Sequence, residues 1–184
     1  SGASYRSCKR CLDWNYVFFF NLNDNDNVDS LSAEGDIILT AGSRILNTAD
    51  IFSENNVLIT AGDAVFNVAH NVDNNILGQI IDDANTTLSG TSSSIFAEGN
   101  VAIVTSNKKP ENATQFFGVY NSADIIAGYN NVEGKIGNVD LNSHANVINK
   151  GLIKAYNGYV DLDATLDVEN SGPGEQFGIL AKDD

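Results

Sequence analysis

Glu34-Gly35-Asp36-Ile37-Ile38-Leu39-Thr40-Ala41-Gly42 returns about 20 residues later as Glu54-Asn55-Asn56-Val57-Leu58-Ile59-Thr60-Ala61-Gly62. A turn glycine or asparagine is followed by apolar residues at alternate positions and then by a small residue. The period of two predicts strands rather than helices. Near the other end, Gly137-Asn138-Val139-Asp140-Leu141-Asn142-Ser143 returns as Gly158-Tyr159-Val160-Asp161-Leu162-Asp163-Ala164, and the two pairs share one template.

Working outward from these strands, Ile45, Val65, Val147 and Val168 occupy one equivalent position of the repeat. Two residues later Asn47, Asn67, Asn149 and Asn170 occupy another. The same corner leads into each repeat, as Leu31-x-Ala33-x-Gly35, Ile51-x-Ser53-x-Asn55, Ile95-x-Ala97-x-Gly99 and Ile153-x-Ala155 before Gly158, with a weaker copy at Ile125-x-Ala127. A strand-turn unit of this size cannot bury its apolar face alone. Stacked at about 4.8 Å it puts like residues over like, Ile37 over Val57 and Leu39 over Ile59, and makes a continuous core. Equivalent asparagines then pass amide hydrogen bonds up the stack at a buried corner, and they tolerate the turn conformation. An antiparallel sandwich also has short alternating strands, but it does not need aligned apolar, small and asparagine positions at a fixed period. The expected fold is therefore all-β, a right-handed single-stranded parallel β-helix of about seven rungs of 20–21 residues each. It is expected to span 31–184, with inserted loops near 73–94 and 106–117.

These motifs resemble the haemagglutinin-type repeats of filamentous haemagglutinin-like exoproteins, a group that includes adhesins and contact-dependent inhibition proteins. The closest stretch is Gly35 to Gly42, and the resemblance is carried by 31–72, 95–106 and 137–172, about half the chain. It implies a right-handed parallel β-helix exported through an outer-membrane partner, by two-partner secretion, and held at or released from the bacterial surface. The asparagine-proline motifs of that family's secretion domain are missing, since the only prolines are Pro110 and Pro173. A shaft segment, a receptor-binding segment or a shorter surface protein built on the same rung is what the resemblance leaves.

Composition agrees with a folded domain. Hydrophobic residues make up 42% of the 184 and charged residues 18%, enough to bury a core. A formal net charge of -14 argues against nucleic acid or an anionic membrane as partner. The longest apolar run, Val17 to Phe20, is far too short to span a bilayer, and no basic segment leads into an apolar signal core, as expected of a mature chain. The partners expected are a cell-surface receptor or glycan, or neighbouring copies of the chain. The only two cysteines, Cys8 and Cys11, are read first as a local structural disulfide, which fits an extracellular setting, then as free thiols, and last as redox or zinc chemistry. Zinc would have to recruit His70 and His144, which lie in different repeats. The sequons at Asn85 and Asn112 are glycan acceptors only in a secretory setting.

Residues 1–30 form a separate unit. Trp14 to Phe20 has the strongest strand preference in the chain and is expected to cap the solenoid, or else to add as a strand to a neighbouring subunit in a filament. The acidic linker that follows offers Asp24, Asp26 and Asp29 as hard oxygen ligands for calcium, without the glycine and closing glutamate of an EF-hand. The bland reading is a solvated loop, and no cofactor is required.

Two features invite a functional reading. Asp140 aligns with Asp161, and Asn142 with Asp163, all alternating with the core and so pointing outward. Carboxylates about 5 Å apart on adjacent rungs are a spacing that glycoside hydrolases use, yet no lysine, arginine or histidine converges on them. The enzyme reading is thus the alternative to a non-catalytic one. The stretch 106–117 interrupts the repeat, and Lys108, Lys109, Phe116 and Phe117 make it the expected contact loop, exposing mixed charge and aromatic character.

Overall fold

The computed structural model describes residues 16–19, 30–68, 93–171 and 178–182. Cys8, Cys11, Asp24, Asp26, Asp29, His70, Asn85 and most of the loop expected near 73–94 lie outside the described residues.

The expected parallel β-helix is the fold found. Among the described residues, seventeen strands form three wholly parallel sheets. Sheet B contains β2 (Leu31–Ala33), β5 (Ile51–Ser53), β8 (Ile95–Ala97), β11 (Asp124–Ala127), β14 (Leu152–Tyr156) and β17 (Gly178–Lys182). Sheet C contains β3 (Ile37–Ala41), β6 (Val57–Ala61), β9 (Val101–Thr105), β12 (Val139–Ser143) and β15 (Val160–Ala164). Sheet A contains β1 (Tyr16–Phe19), β4 (Arg44–Asn47), β7 (Ala64–Asn67), β10 (Gly118–Asn121), β13 (Asn146–Asn149) and β16 (Val168–Asn170). The chain visits B, C and A in turn, so β2 to β16 make five complete coils, with one strand of a further coil at either end. Strand β1 pairs in parallel with β4 of its own chain, so sheet A starts upstream of residue 31.

Each strand turns alternate residues inward, where its inner face meets the other two sheets. Sheet C stacks Ile37, Val57, Val101, Val139 and Val160 in one column and Leu39, Ile59, Ile103, Leu141 and Leu162 in the next. Sheet A stacks Ile45, Val65, Val119, Val147 and Val168, and sheet B stacks Ile51, Ile95, Ile125 and Ile153. Apart from Val168, which is half exposed at the end of its column, these columns form one continuous core, in which each fully buried aliphatic side chain contributes about 1.5–3 kcal/mol. Short side chains turn the corners: Ala33, Ser53, Ala97, Ala127 and Ala155 stand at or next to the ends of sheet B strands, while Ala41, Ala61, Thr105, Ser143 and Ala164 end those of sheet C. Where a corner residue is polar it is satisfied: Thr105 Oγ1 donates to Ser143 Oγ at 2.8 Å, and Ser53 Oγ donates to the Gly35 carbonyl at 2.8 Å.

The 20-residue spacing seen from β2 to β5 is stretched elsewhere by insertions at the corners. Residues 106–117 join β9 to β10 as expected, and residues 128–138, which the repeat does not announce, join β11 to β12. The first insertion returns to the sheet at Gly118, whose φ of 118° and close approach to Asn146 leave no room for a side chain.

Candidate functional site: the outer face of sheet C

The asparagines singled out in the repeat do structural work. Asn47 Nδ2 donates to Asn67 Oδ1, Asn67 to Asn121, Asn121 to Asn149 and Asn149 to Asn170, each at 2.8 Å. Asn47, Asn67, Asn121 and Asn149 are completely buried. Asn121 is the member missing from the sequence reading, although Val119-x-Asn121 repeats the pattern of Ile45-x-Asn47. A second ladder, also missed, runs outside the B-to-C corner. Asp36 accepts from the Asn56 backbone N–H, Asn56 from that of Asn100, Asn100 from that of Asn138 and Asn138 from that of Tyr159, at 2.9–3.1 Å. With these groups spent on the scaffold, the sites open to a partner are the three outer faces.

Sheet A is covered by its own insertion. Leu46, Phe66 and Tyr120 point away from the core yet are buried, because Phe116 lies across them, 5.5 Å from the Phe66 ring and 6.2 Å from that of Tyr120. Arg44 anchors the insertion by donating to Gln115 Oε1 at 2.6 Å. This corrects the expected contact loop: Phe117 is buried and Phe116 half-buried against their own sheet, so only Lys108 and Lys109 of the four are exposed. Apolar side chains on the outside of sheet A are what draw the aromatic residues in.

Sheet B is partly covered by the second insertion. Tyr129 packs edge-on to Phe52 at 6.0 Å and across Phe96 at 4.7 Å. Lys135 Nζ fixes the loop by donating to the Glu54 carbonyl at 2.9 Å and to Glu98 at 2.8 Å. The hydrogen bonds from Lys135 and Asn130 hold the Glu98 carboxyl below the usual carboxylate range.

Among the described residues, none lies across the outer face of sheet C in the way that Phe116 and Tyr129 lie across the other two. Its outward rows run Ile38, Leu58, Ala102, Asp140, Asp161 and Thr40, Thr60, Val104, Asn142, Asp163. Ile38 is 64% exposed and Leu58 37%, and Ile136 of the neighbouring insertion is 62% exposed. The face thus changes along the solenoid axis from apolar on β3, β6 and β9 to acidic on β12 and β15. The expected alignments of Asp140 with Asp161 and of Asn142 with Asp163 are both present. Tyr159, half exposed at the strand entry, stands beside Asp140. Partial burial raises the Asp140 carboxyl above its ordinary value; the neighbouring tyrosine hydroxyl opposes the shift and the charge of Asp161 adds to it. The nearby Asp140 charge in turn raises the Tyr159 phenol. Both carboxylates stand on a regular sheet face. Among the described residues, no group of three histidine, cysteine or acidic side chains is gathered as a cation site, and no helix is long and apolar enough to cross a membrane. Comparison with family models, curated proteins and solved structures finds no match to this chain.

Proposed function

We propose that the chain is a non-enzymatic extracellular surface protein, an adhesin or fibre segment whose β-helix presents sheet C for contact at or beyond the bacterial surface. The observation that supports this most is the asymmetry of the three faces. Among the described residues, sheets A and B draw their own insertions over most of their apolar outer residues, with Leu180 left exposed at the end of sheet B, while sheet C leaves Ile38 and Leu58 exposed side by side in register. Exposed apolar side chains arranged in this way are characteristic of an interaction surface. The haemagglutinin-type likeness of the rung supports the same setting.

The test is saturable binding of the fluorescently labelled protein to a panel of animal and bacterial cells, read by flow cytometry beside the Ile38→Glu/Leu58→Glu variant. The reading expects saturable binding to at least one cell type and its loss in the variant. Binding that is unsaturable throughout, or unchanged by the variant, would contradict it. The pairing of Asp140 with Tyr159 favours one other reading, a carbohydrate-active β-helix enzyme, which requires release of reducing ends from a polysaccharide and loss of that release in Asp140→Asn.

A further inference from the structure

We infer that sheet C docks a basic protein segment with an apolar end, the apolar part lying on β3, β6 and β9 and its lysines or arginines on Asp140, Asp161 and Asp163. The inference rests on sheet C being the contact face and names the chemistry of its partner. Three observations carry it. The apolar half is in register, with exposed Ile38 beside exposed Leu58 beside half-buried Ala102, and half-buried Val104 following Thr40 and Thr60 in the second row. The other half carries three carboxylates, with Asp161 and Asp163 exposed, and no base stands in its outward rows.

The third observation is size. Five strands at about 4.8 Å, each about 17 Å long, make a face of roughly 24 Å by 17 Å, on the order of 400 Å². A stable dimer buries about 800 Å² on each partner. A second copy would also bring its own acidic rows and a net charge of -14, so self-association through this face is disfavoured by both area and charge. A basic partner gains from the same charge, through steering and through paired carboxylates at the acidic end. The small area makes the contact weak and exchangeable, as suits a surface that gains strength from many copies.

The probe is a soluble helical peptide of about 16 residues, some 24 Å long, with leucines in its first half and lysines in its second. The control replaces every lysine by glutamate. Isothermal titration against the intact chain should give a Kd on the order of 10–100 µM for the basic peptide and no measurable binding for the acidic one. Replacing Asp140, Asp161 and Asp163 together by asparagine should weaken binding roughly tenfold and flatten its salt dependence. Ile38→Thr/Leu58→Thr should weaken it while leaving the salt dependence in place. Circular dichroism confirms that each variant is folded, and the two peptides on the unaltered chain decide the matter even if a variant is not.

Equal binding of both peptides, preference for the acidic one, or an unchanged affinity in the triple asparagine variant would overturn the proposal. So would a concentration-dependent dimer in light scattering that the Ile38 and Leu58 substitutions abolish, which would make the occupant a second copy. If cell binding depends on Ile38 and Leu58 while the peptides do not discriminate, only the partner's chemistry is wrong. If neither experiment responds, the contact face itself is wrong.

Discussion

Where each sheet A strand ends, from β4 to β16, an asparagine amide adds to the backbone hydrogen bonds that link one coil to the next. Asn121 sits in the middle of this column, accepting from Asn67, donating to Asn149 and also bonding the backbone of Ala123. Asn121→Ala removes all of these and leaves buried donors and acceptors with fewer partners, at about 1–3 kcal/mol for each group left unsatisfied. We expect a loss of about 3 kcal/mol or more in urea unfolding for Asn121→Ala. The loss should be about 1 kcal/mol for Asn170→Ala, whose residue is exposed at the end of the column. Equal losses would mean that the ladder is not a continuous element. Asn47, Asn67, Asn149 and Asn170 were legible because each follows its apolar partner at the same spacing. Asn121 was hidden because the insertion 106–117 moves its coil off the 20-residue period. At Asp140 the shift has a sign that can be checked. Its folded carboxyl lies above the ordinary value, so ionisation disfavours the folded state as pH rises through that range. Asp140→Asn should therefore raise Tm relative to the unaltered chain near neutral pH, with the gap closing as pH falls towards about 3, below the ordinary carboxylate range. A gap that widens on acidification would reverse the assignment.

Strands were easier to foresee than the paths between them. Alternation within Ile37 to Ala41 and Val57 to Ala61 is a local property, and a parallel stack forces equivalent positions to be alike, so the core columns could be written down from the repeat. What an insertion covers depends on where its side chains come to rest, and no period carries that information. Phe116 and Phe117 resemble exposed contact residues until the outward row Leu46, Phe66 and Tyr120 is seen to need a cover. Tyr129 and Lys135 are likewise far in the chain from Phe96 and Glu98, and meet them only because 128–138 folds back over sheet B. Phe116→Ser should uncover sheet A. We expect a loss of about 2 kcal/mol, less than the 3–5 kcal/mol typical of a fully buried phenylalanine, with increased binding of an apolar dye to the native state. No change in either would show that the insertion does not seal the sheet.

Over the described residues the molecule is a short three-sided stack whose axis is set by the coils and whose three sides differ in what lies on them. Stability is shared among neighbouring coils, because each column residue touches its equivalents above and below, and the side faces are free to vary without disturbing the core. That division explains why the architecture could be read from the sequence while the proposed contact surface could not: core columns must repeat, and an outer face need not. It also makes the geometry of the stack directly measurable. Spin labels at Ile38 and Asp161 lie four strand spacings apart in sheet C, and labels at Ser32 and Leu180 lie five apart in sheet B. Double electron–electron resonance should give narrow distributions centred near about 19 Å and about 24 Å respectively, one rung apart. Broad distributions, or two distances that bear no relation to the rung spacing, would contradict the parallel β-helix on which the account depends.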